Sequence, residues 1–265
     1  MSSLRDTHKD HLNSFVQGDA LEVMQGLPSN SIPLILFSPP YNLRKTTGAK
    51  GAKSGKWAGG AVVEVGYDGH DDEMPQERYV EWQREILTQC MRLIPNDGAV
   101  FFNHQFRVQG GLLQDHREIL DGFPVRQQII WQRYGGHNFN AGYFVPTYQV
   151  VYMIAKPAFK LTKGANRHGD VWKIPVERKA DWGINHPAPM PVALAERIIS
   201  STDARLVLDP FMGSGTTAIA ARRLGRYFIG IDRAKAYCRM AEDRLRREYN
   251  TPAWRKFFAT KRSTN

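Results

Sequence analysis

Apolar residues in this chain fall into two patterns that alternate along it: short unbroken runs, and stripes at helical spacing. Pro33–Phe37, Ala99–Asn103, Tyr148–Ala155 and Leu206–Asp209 are runs with little polar alternation. Such runs read as strands buried on both faces, the habit of parallel sheets. A short strand ending at Asp19, another over Arg126–Gln132 and a third over RYFIGID (226–232) complete the set. Between them lie stripes that predict helices. In Gln76–Ile94, residues Val80, Ile86, Leu87, Cys90, Met91 and Ile94 share one face. Further helices are expected over about Val108–Leu120, Val192–Ser201, the stretch following GSGTT, and Arg233–Glu248. The final β-α-β-α succession is of the doubly wound kind, so the expected fold is α/β with a mostly parallel sheet.

Two stretches break the alternation. Residues 44–72, rich in Gly and Lys, have little periodicity and read as a mobile loop, whose basic half (Arg44 to Lys56) would suit a phosphate backbone or plain solvent. The stretch from about Arg133 to Ile184, interrupted by the strand at 148–155, interleaves basic residues with Trp172, Trp182 and His168. That mixture suits nucleic acid, by stacking and by phosphate pairing, and a plain surface subdomain is the alternative.

Two loops at carboxyl ends of expected parallel strands carry candidate chemistry, because open α/β sheets bind ligands there. The first follows Asp209, with Gly213 and Gly215 in the turn before a helix. Glycines let a ligand approach the backbone, and the helix N-terminus offers unpaired N–H groups. Another acid, Asp232, ends the next strand, where a carboxylate can accept hydrogen bonds from ribose hydroxyls. The turn lacks the GK[ST] of a phosphate-binding P-loop, whereas the GxGxxA of a dinucleotide site is formally present. An acid opening the turn would repel a pyrophosphate, yet it suits the cationic amino group of a methionine moiety. The second loop is Ser38-Pro39-Pro40-Tyr41. Ser38 Oγ and the Pro39 carbonyl can accept the two hydrogens of an NH₂ group, and Tyr41 can stack on the ring that bears it. A proline-rich turn after a buried strand is the bland alternative.

Charge sharpens the picture. Lys plus Arg total 36 against 26 acids, a net charge of +10, which suits a polyanionic partner without proving one. The two cysteines, Cys90 and Cys238, lie far apart within helical patterns. They read as packing residues, and no Cys/His spacing calls for a structural metal. No run approaches the roughly 20 apolar residues that span a bilayer, and the polar start is no signal peptide, so a cytoplasmic location is expected.

The set GDALEVM, LILFSPPYN, HPAPMPVALAERII and VLDPFMGSGTTAIAARRLGRYFIGID, with Tyr237 and Arg244 trailing, strongly resembles the amino-group (N4-cytosine/N6-adenine) DNA methyltransferases. The SPPY loop precedes DPFMGSGTT, the order of the permuted beta group of that family. The match is close over about 15–43 and 184–248 and looser between. It implies a circularly permuted Rossmann-like fold that binds S-adenosylmethionine and acts on double-stranded DNA. By the same resemblance Asp209, Phe211, Gly213, Ser214, Gly215 and Thr216 surround the methionine moiety. Asp232 is the ribose acid, Asp19 lies near the adenine, and His186, Pro187 and Pro191 cover the cofactor. Ser38, Pro39, Pro40 and Tyr41 form the catalytic loop. Residues 1–132 then make the catalytic half, 133–184 a target-recognition insertion, 185–250 the cofactor-binding half and 251–265 a basic tail. Relatives in the group are often dimers, so a homodimer is one expectation, although no interface is legible; restriction–modification is one setting for such an enzyme, beside a phage or gene regulation.

One position departs from the adenine pattern. Many beta-group adenine enzymes carry Asp-Pro-Pro-Tyr, whereas Ser38 is more usual among N4-cytosine enzymes. Cytosine is therefore favoured, with adenine retained. C5-cytosine chemistry needs a cysteine nucleophile, and neither cysteine follows a proline in a loop. Two rival readings are an amide or amine methyltransferase acting on RNA or protein, and a DNA-binding protein that has lost catalysis.

Overall fold

The computed structural model describes residues 7–42, 74–109, 112–134, 142–177 and 190–249. The basic loop at 44–72, Trp182, His186, Pro187 and the tail at 251–265 lie outside them. Eight strands form one sheet: β1 (Ser14–Gln17), β2 (Leu34–Phe37), β3 (Ala99–His104), β6 (Val125–Gln132), β7 (Tyr148–Ala155), β8 (Val171–Lys173), β9 (Leu206–Asp209) and β10 (Tyr227–Asp232). Two short strands, β4 (Arg107–Gln109) and β5 (Leu112–Gln114), pair antiparallel outside it. The helices are α1 (Ala20–Gly26), α2 (Gln76–Leu93), α3 (Val192–Ser200), α4 (Thr216–Arg223) and α5 (Lys235–Glu248).

The order across the sheet is β1-β10-β9-β2-β3-β7-β6-β8. All neighbours pair in parallel except β7, which runs antiparallel to both β3 and β6. The unbroken apolar runs arise because both faces are covered. Leu34 and Leu36 of β2 face a core shared with α3 and α4, while Ile35 and Phe37 face the core under α1 and α2. From β9 the chain winds outward through α4 to β10, and from β2 it winds the other way through α2 to β3. The β9–β2 junction is thus the point where the winding reverses, and the carboxyl ends of the strands at such a junction are where open α/β sheets bind ligands.

Two expectations need correction. Val108–Leu120 is not a helix: it forms the β4–β5 pair followed by a 3₁₀ turn at His116–Leu120. Gly110 and Gly111 lie in the middle of that stretch, and each glycine costs a helix about 1 kcal/mol relative to alanine. The irregular stretch also contributes an eighth strand, since β8 adds to the sheet edge beside β6. Trp172, expected to meet nucleic acid, is buried there opposite Trp131, its indole N–H donating to the Gly169 carbonyl at 3.0 Å. The guanidinium of Arg197 covers its ring. His168 is exposed in a 3₁₀ turn. Among the described residues, no helix is long and apolar enough to cross a membrane.

Candidate active site

The carboxyl edge of the sheet brings most of the expected residues into one line. Following the strand order, it presents Asp19 after β1, Asp232 on β10, Asp209 on β9, Ser38 after β2, Asn103 on β3 and Gln149 at the start of the antiparallel β7.

On the β9 side, Asp209 is buried, with its Oδ1 accepting from the Phe211 N–H at 3.0 Å and its Oδ2 from the Thr217 hydroxyl at 2.5 Å. Burial raises its carboxyl to about 7, and the nearby Asp232 charge adds to the rise. Asp232 accepts from the Gly213 N–H at 3.0 Å and the Ala234 N–H at 2.9 Å, and burial raises its carboxyl too. Among the described residues no Lys or Arg pairs with either acid. Two partly desolvated carboxyls on adjacent strands fit a ligand with a cationic amine and vicinal hydroxyls, which would supply what the protein withholds.

The turn between them is tightly built. Gly215 has φ +78° and caps α4; a Cβ there would sit 2.8 Å from the Ala241 Cβ of α5. The hydroxyls of Ser214 and Thr216 are buried and face Arg244, whose guanidinium donates to them at 3.1 and 3.0 Å. Arg244 also pairs with Glu177 at 3.1 Å, and Glu177 accepts from the Val192 N–H at the start of α3. These two side chains therefore brace the turn from behind. Phe211 lies between Phe37 and Trp82, with ring centroids 5.7 and 5.5 Å away. Pro191 caps α3 and is buried. Asp19 caps α1, accepting from the Leu21 N–H at 2.9 Å.

On the β2 side, Pro39, Pro40 and Tyr41 are buried and Ser38 is half-buried. The loop closes at Asn42, whose left-handed backbone (φ +57°) suits an asparagine. The Asn42 carbonyl accepts from Arg107 at 2.6 Å, and its side-chain amide donates to the Met74 carbonyl at 2.8 Å. The Tyr79 hydroxyl sits 2.9 Å from the Pro40 carbonyl and 2.7 Å from His104 Nε2. Burial and the stacked His116 hold His104 well below the ordinary imidazole value, so it is neutral. Burial pushes Tyr41 up to about 12, keeping it a phenol. Asn103 Nδ2 lies 2.8 Å from Ser38 Oγ, 2.9 Å from the Tyr41 hydroxyl and 2.8 Å from Gln149 Oε1. Asn103, Gln149, Tyr79, His104 and Thr217 were not anticipated from the sequence. A polar residue closing the apolar run Ala99–Phe102 was the available sign for Asn103. Among the described residues no cluster of His, Cys, Asp or Glu is placed to hold a metal ion.

A doubly wound sheet with this edge is that of the Rossmann-like methyltransferases. The chain belongs to the N6/N4 DNA methylase family: the family profile, described as DNA methylase, matches residues 32–243. The family is S-adenosylmethionine-dependent. The chain is 29% identical over 271 residues to the type II methyltransferase M.BglII of Bacillus subtilis, covering 88% of this chain and 69% of that protein. It is 30% identical over 254 residues to the type II methyltransferase M2.DpnII of Streptococcus pneumoniae, covering 89% and 90%. The fold is also that of the PvuII cytosine-N4-specific DNA methyltransferase (TM-score 0.68, 21% identity, 89% of this chain and 91% of that one). M1.HpyAVI in complex with S-adenosylmethionine shares it as well (TM-score 0.58, 22% identity, 87% and 98%).

Proposed function

We propose that the protein methylates the exocyclic amino group of a base flipped out of double-stranded DNA, with N4 of cytosine as the target. The observation that carries this reading is the junction itself: the acids of β9 and β10 and the Ser38–Tyr41 loop of β2 lie at the carboxyl ends of adjoining parallel strands. S-adenosylmethionine supplies an electrophilic methyl group on a sulfonium sulfur. Asp209 would accept hydrogen bonds from its amine and Asp232 from its ribose, with Asp19, Phe211, Pro191 and the backbone of 213–216 completing the cradle. His186 is assigned to the same cradle by family resemblance alone.

An amino group conjugated to a base ring is a poor nucleophile because its lone pair is delocalised. Ser38 Oγ and the Pro39 carbonyl would each accept one N–H, favouring a pyramidal nitrogen whose lone pair points at the methyl carbon. The new C–N bond forms as the methyl–sulfur bond breaks, its electron pair stays on sulfur, and the surplus N–H proton leaves to water. Positioning of this kind supplies on the order of 7–11 kcal/mol in favourable intramolecular cases. Inside a duplex the amino group is engaged in pairing, so the base must be extruded, at a cost of a few kcal/mol, and held against Tyr41. Residues 133–184 would read the target sequence. The type II names of the relatives support a place in a restriction–modification pair; a cytoplasmic location and, in keeping with the group, a homodimer are part of the same proposal.

The test is to incubate the purified protein with S-adenosylmethionine and unmethylated genomic DNA, then digest and analyse the nucleosides by mass spectrometry. N4-methylcytosine is the expected product. N6-methyladenine would keep the chemistry and overturn the choice of base. Neither product, with cofactor binding intact, would overturn DNA as the substrate in favour of RNA or protein.

A further inference from the structure

We propose that Asn103 is a positioning residue: it fixes the Ser38 hydroxyl so that a lone pair, rather than a proton, faces the amino group to be methylated. This rests on the acceptor role of Ser38 in the proposed function.

Asn103 is buried near the end of β3, with Nδ2 within 2.9 Å of Ser38 Oγ, the Tyr41 hydroxyl and Gln149 Oε1. An amide nitrogen only donates and has two protons, so the two shortest contacts, Ser38 Oγ and Gln149 Oε1 at 2.8 Å, are the acceptors. The Ser38 hydroxyl also contacts Tyr41, and because the one phenolic proton goes to Gln149 Oε1, an atom that only accepts, Ser38 is the donor between them. The Tyr41 hydroxyl donates onward to Gln149 Oε1 at 3.3 Å. Gln149 is held from its other end, its Nε2 donating to Gln105 Oε1 at 3.0 Å. The protons therefore run one way, from Asn103 through Ser38 and Tyr41 to Gln149.

A serine hydroxyl has one proton and two lone pairs. Asn103 occupies one lone pair and Tyr41 takes the proton, which leaves one lone pair for a substrate N–H. Without Asn103 the hydroxyl is held by Tyr41 alone and can rotate out of that single bond. Its proton can then point at the nitrogen lone pair that must attack the methyl carbon, which opposes the reaction instead of assisting it. No atom of Asn103 need touch the substrate for this to operate.

The test compares the wild-type protein with Asn103→Ala, Asn103→Asp, Ser38→Ala and the Ser38→Ala/Asn103→Ala double variant. The readouts are kcat, KM for DNA, cofactor affinity by calorimetry and melting temperature. Asn103→Ala should lower kcat about 10- to 100-fold, the scale of a misplaced catalytic contact. Cofactor affinity should stay within about twofold, since Asp209 and Asp232 lie on other strands. The double variant should be no slower than Ser38→Ala by more than about threefold, because the two residues act through one contact. Asn103→Asp retains the volume and donates only when protonated, so its kcat should fall as pH rises through its carboxyl pKa, a limb that the wild type lacks. Wild-type kcat in Asn103→Ala, losses that multiply in the double variant, or an Asn103→Asp pH profile parallel to wild type would each overturn the inference. Those results with wild-type transfer intact sink the positioning role alone. Absence of wild-type transfer to any base amino group sinks the functional reading and this inference with it.

Discussion

Replacing Asp209 by asparagine should make the unliganded protein more stable while weakening its grip on the cofactor. Burial lifts the Asp209 carboxyl from 3.8 to about 7. Each tenfold change in a proton equilibrium is worth about 1.4 kcal/mol, so keeping this group ionised above pH 7 costs the folded state about 4 kcal/mol. Asparagine retains an acceptor for the Phe211 N–H and exchanges the charged contact with Thr217 for a neutral one, an offset of about 1 kcal/mol. A net gain of about 3 kcal/mol corresponds to a rise of about 6–12 °C in melting temperature for a chain of this size. The sign depends on pH. Below 3.8 both folded and unfolded wild-type chains hold the proton. Between 3.8 and 7 the unfolded chain releases it first, so wild-type stability falls as pH rises, and above 7 the loss is complete. Calorimetric melts without cofactor should therefore show Asp209→Asn well above wild type at pH 8 and close to it at pH 5. Titration with S-adenosylmethionine at pH 8 should show affinity about 100-fold weaker, the loss expected for removing the charged partner of a buried amine. A variant that melts at or below wild type at pH 8, or by the same margin at both pH values, would refute the reasoning.

Three further outcomes follow from the same geometry. Tyr41→Phe keeps the ring but removes the acceptor of the Ser38 proton and should lose about 10-fold or somewhat more, whereas Tyr41→Ala should lose well over about 100-fold, both with cofactor affinity unchanged, by radiolabel transfer and calorimetry. Gly215→Ala forces a side chain into φ +78° and against Ala241, so it should cost about 3 kcal/mol. Adding Ala241→Gly should recover part of that cost in a thermal melt, and no recovery would mean that the clash is not the cause. Arg244→Met strips the partner from Glu177 and should destabilise by about 3–5 kcal/mol, with Glu177→Gln in the same chain restoring part of the loss in denaturant melts.

What the sequence revealed depended on how each element is buried. Strands β2, β3, β7 and β9 are covered on both faces and so wrote themselves as continuous apolar runs. Strand β8 is three residues long with only Trp172 turned inward, a pattern too short to separate from loop. The β4–β5 pair leaves Leu112 and Leu113 exposed, which imitates a helical stripe on paper. Asp209, Asp232 and the Ser38–Tyr41 loop were legible because strand ends and turn chemistry locate them locally. The contacts of Asn103 with Ser38 and Gln149 join residues 65 and 46 positions apart, and no local pattern records such a meeting. Ser214 lies in the turn and Thr216 opens α4, and their hydroxyls face Arg244, a partner on a helix far downstream that no local pattern announces.

The order of strands has one more consequence. Strand β1, near the start of the chain, is hydrogen-bonded to β10, and α5, the last helix described, packs against it. The two sides of the β9–β2 junction are thus joined by that strand pairing, by the chain that runs between them, and again by the pairing of β1 with β10. A chain opened between β8 and α3 and rejoined from α5 to β1, which pack together, should leave every strand pairing intact. Such a reordered gene would place the Asp209 turn ahead of the Ser38 loop and still encode the same catalyst, because the sheet registers only who pairs with whom and not which strand leaves the ribosome first.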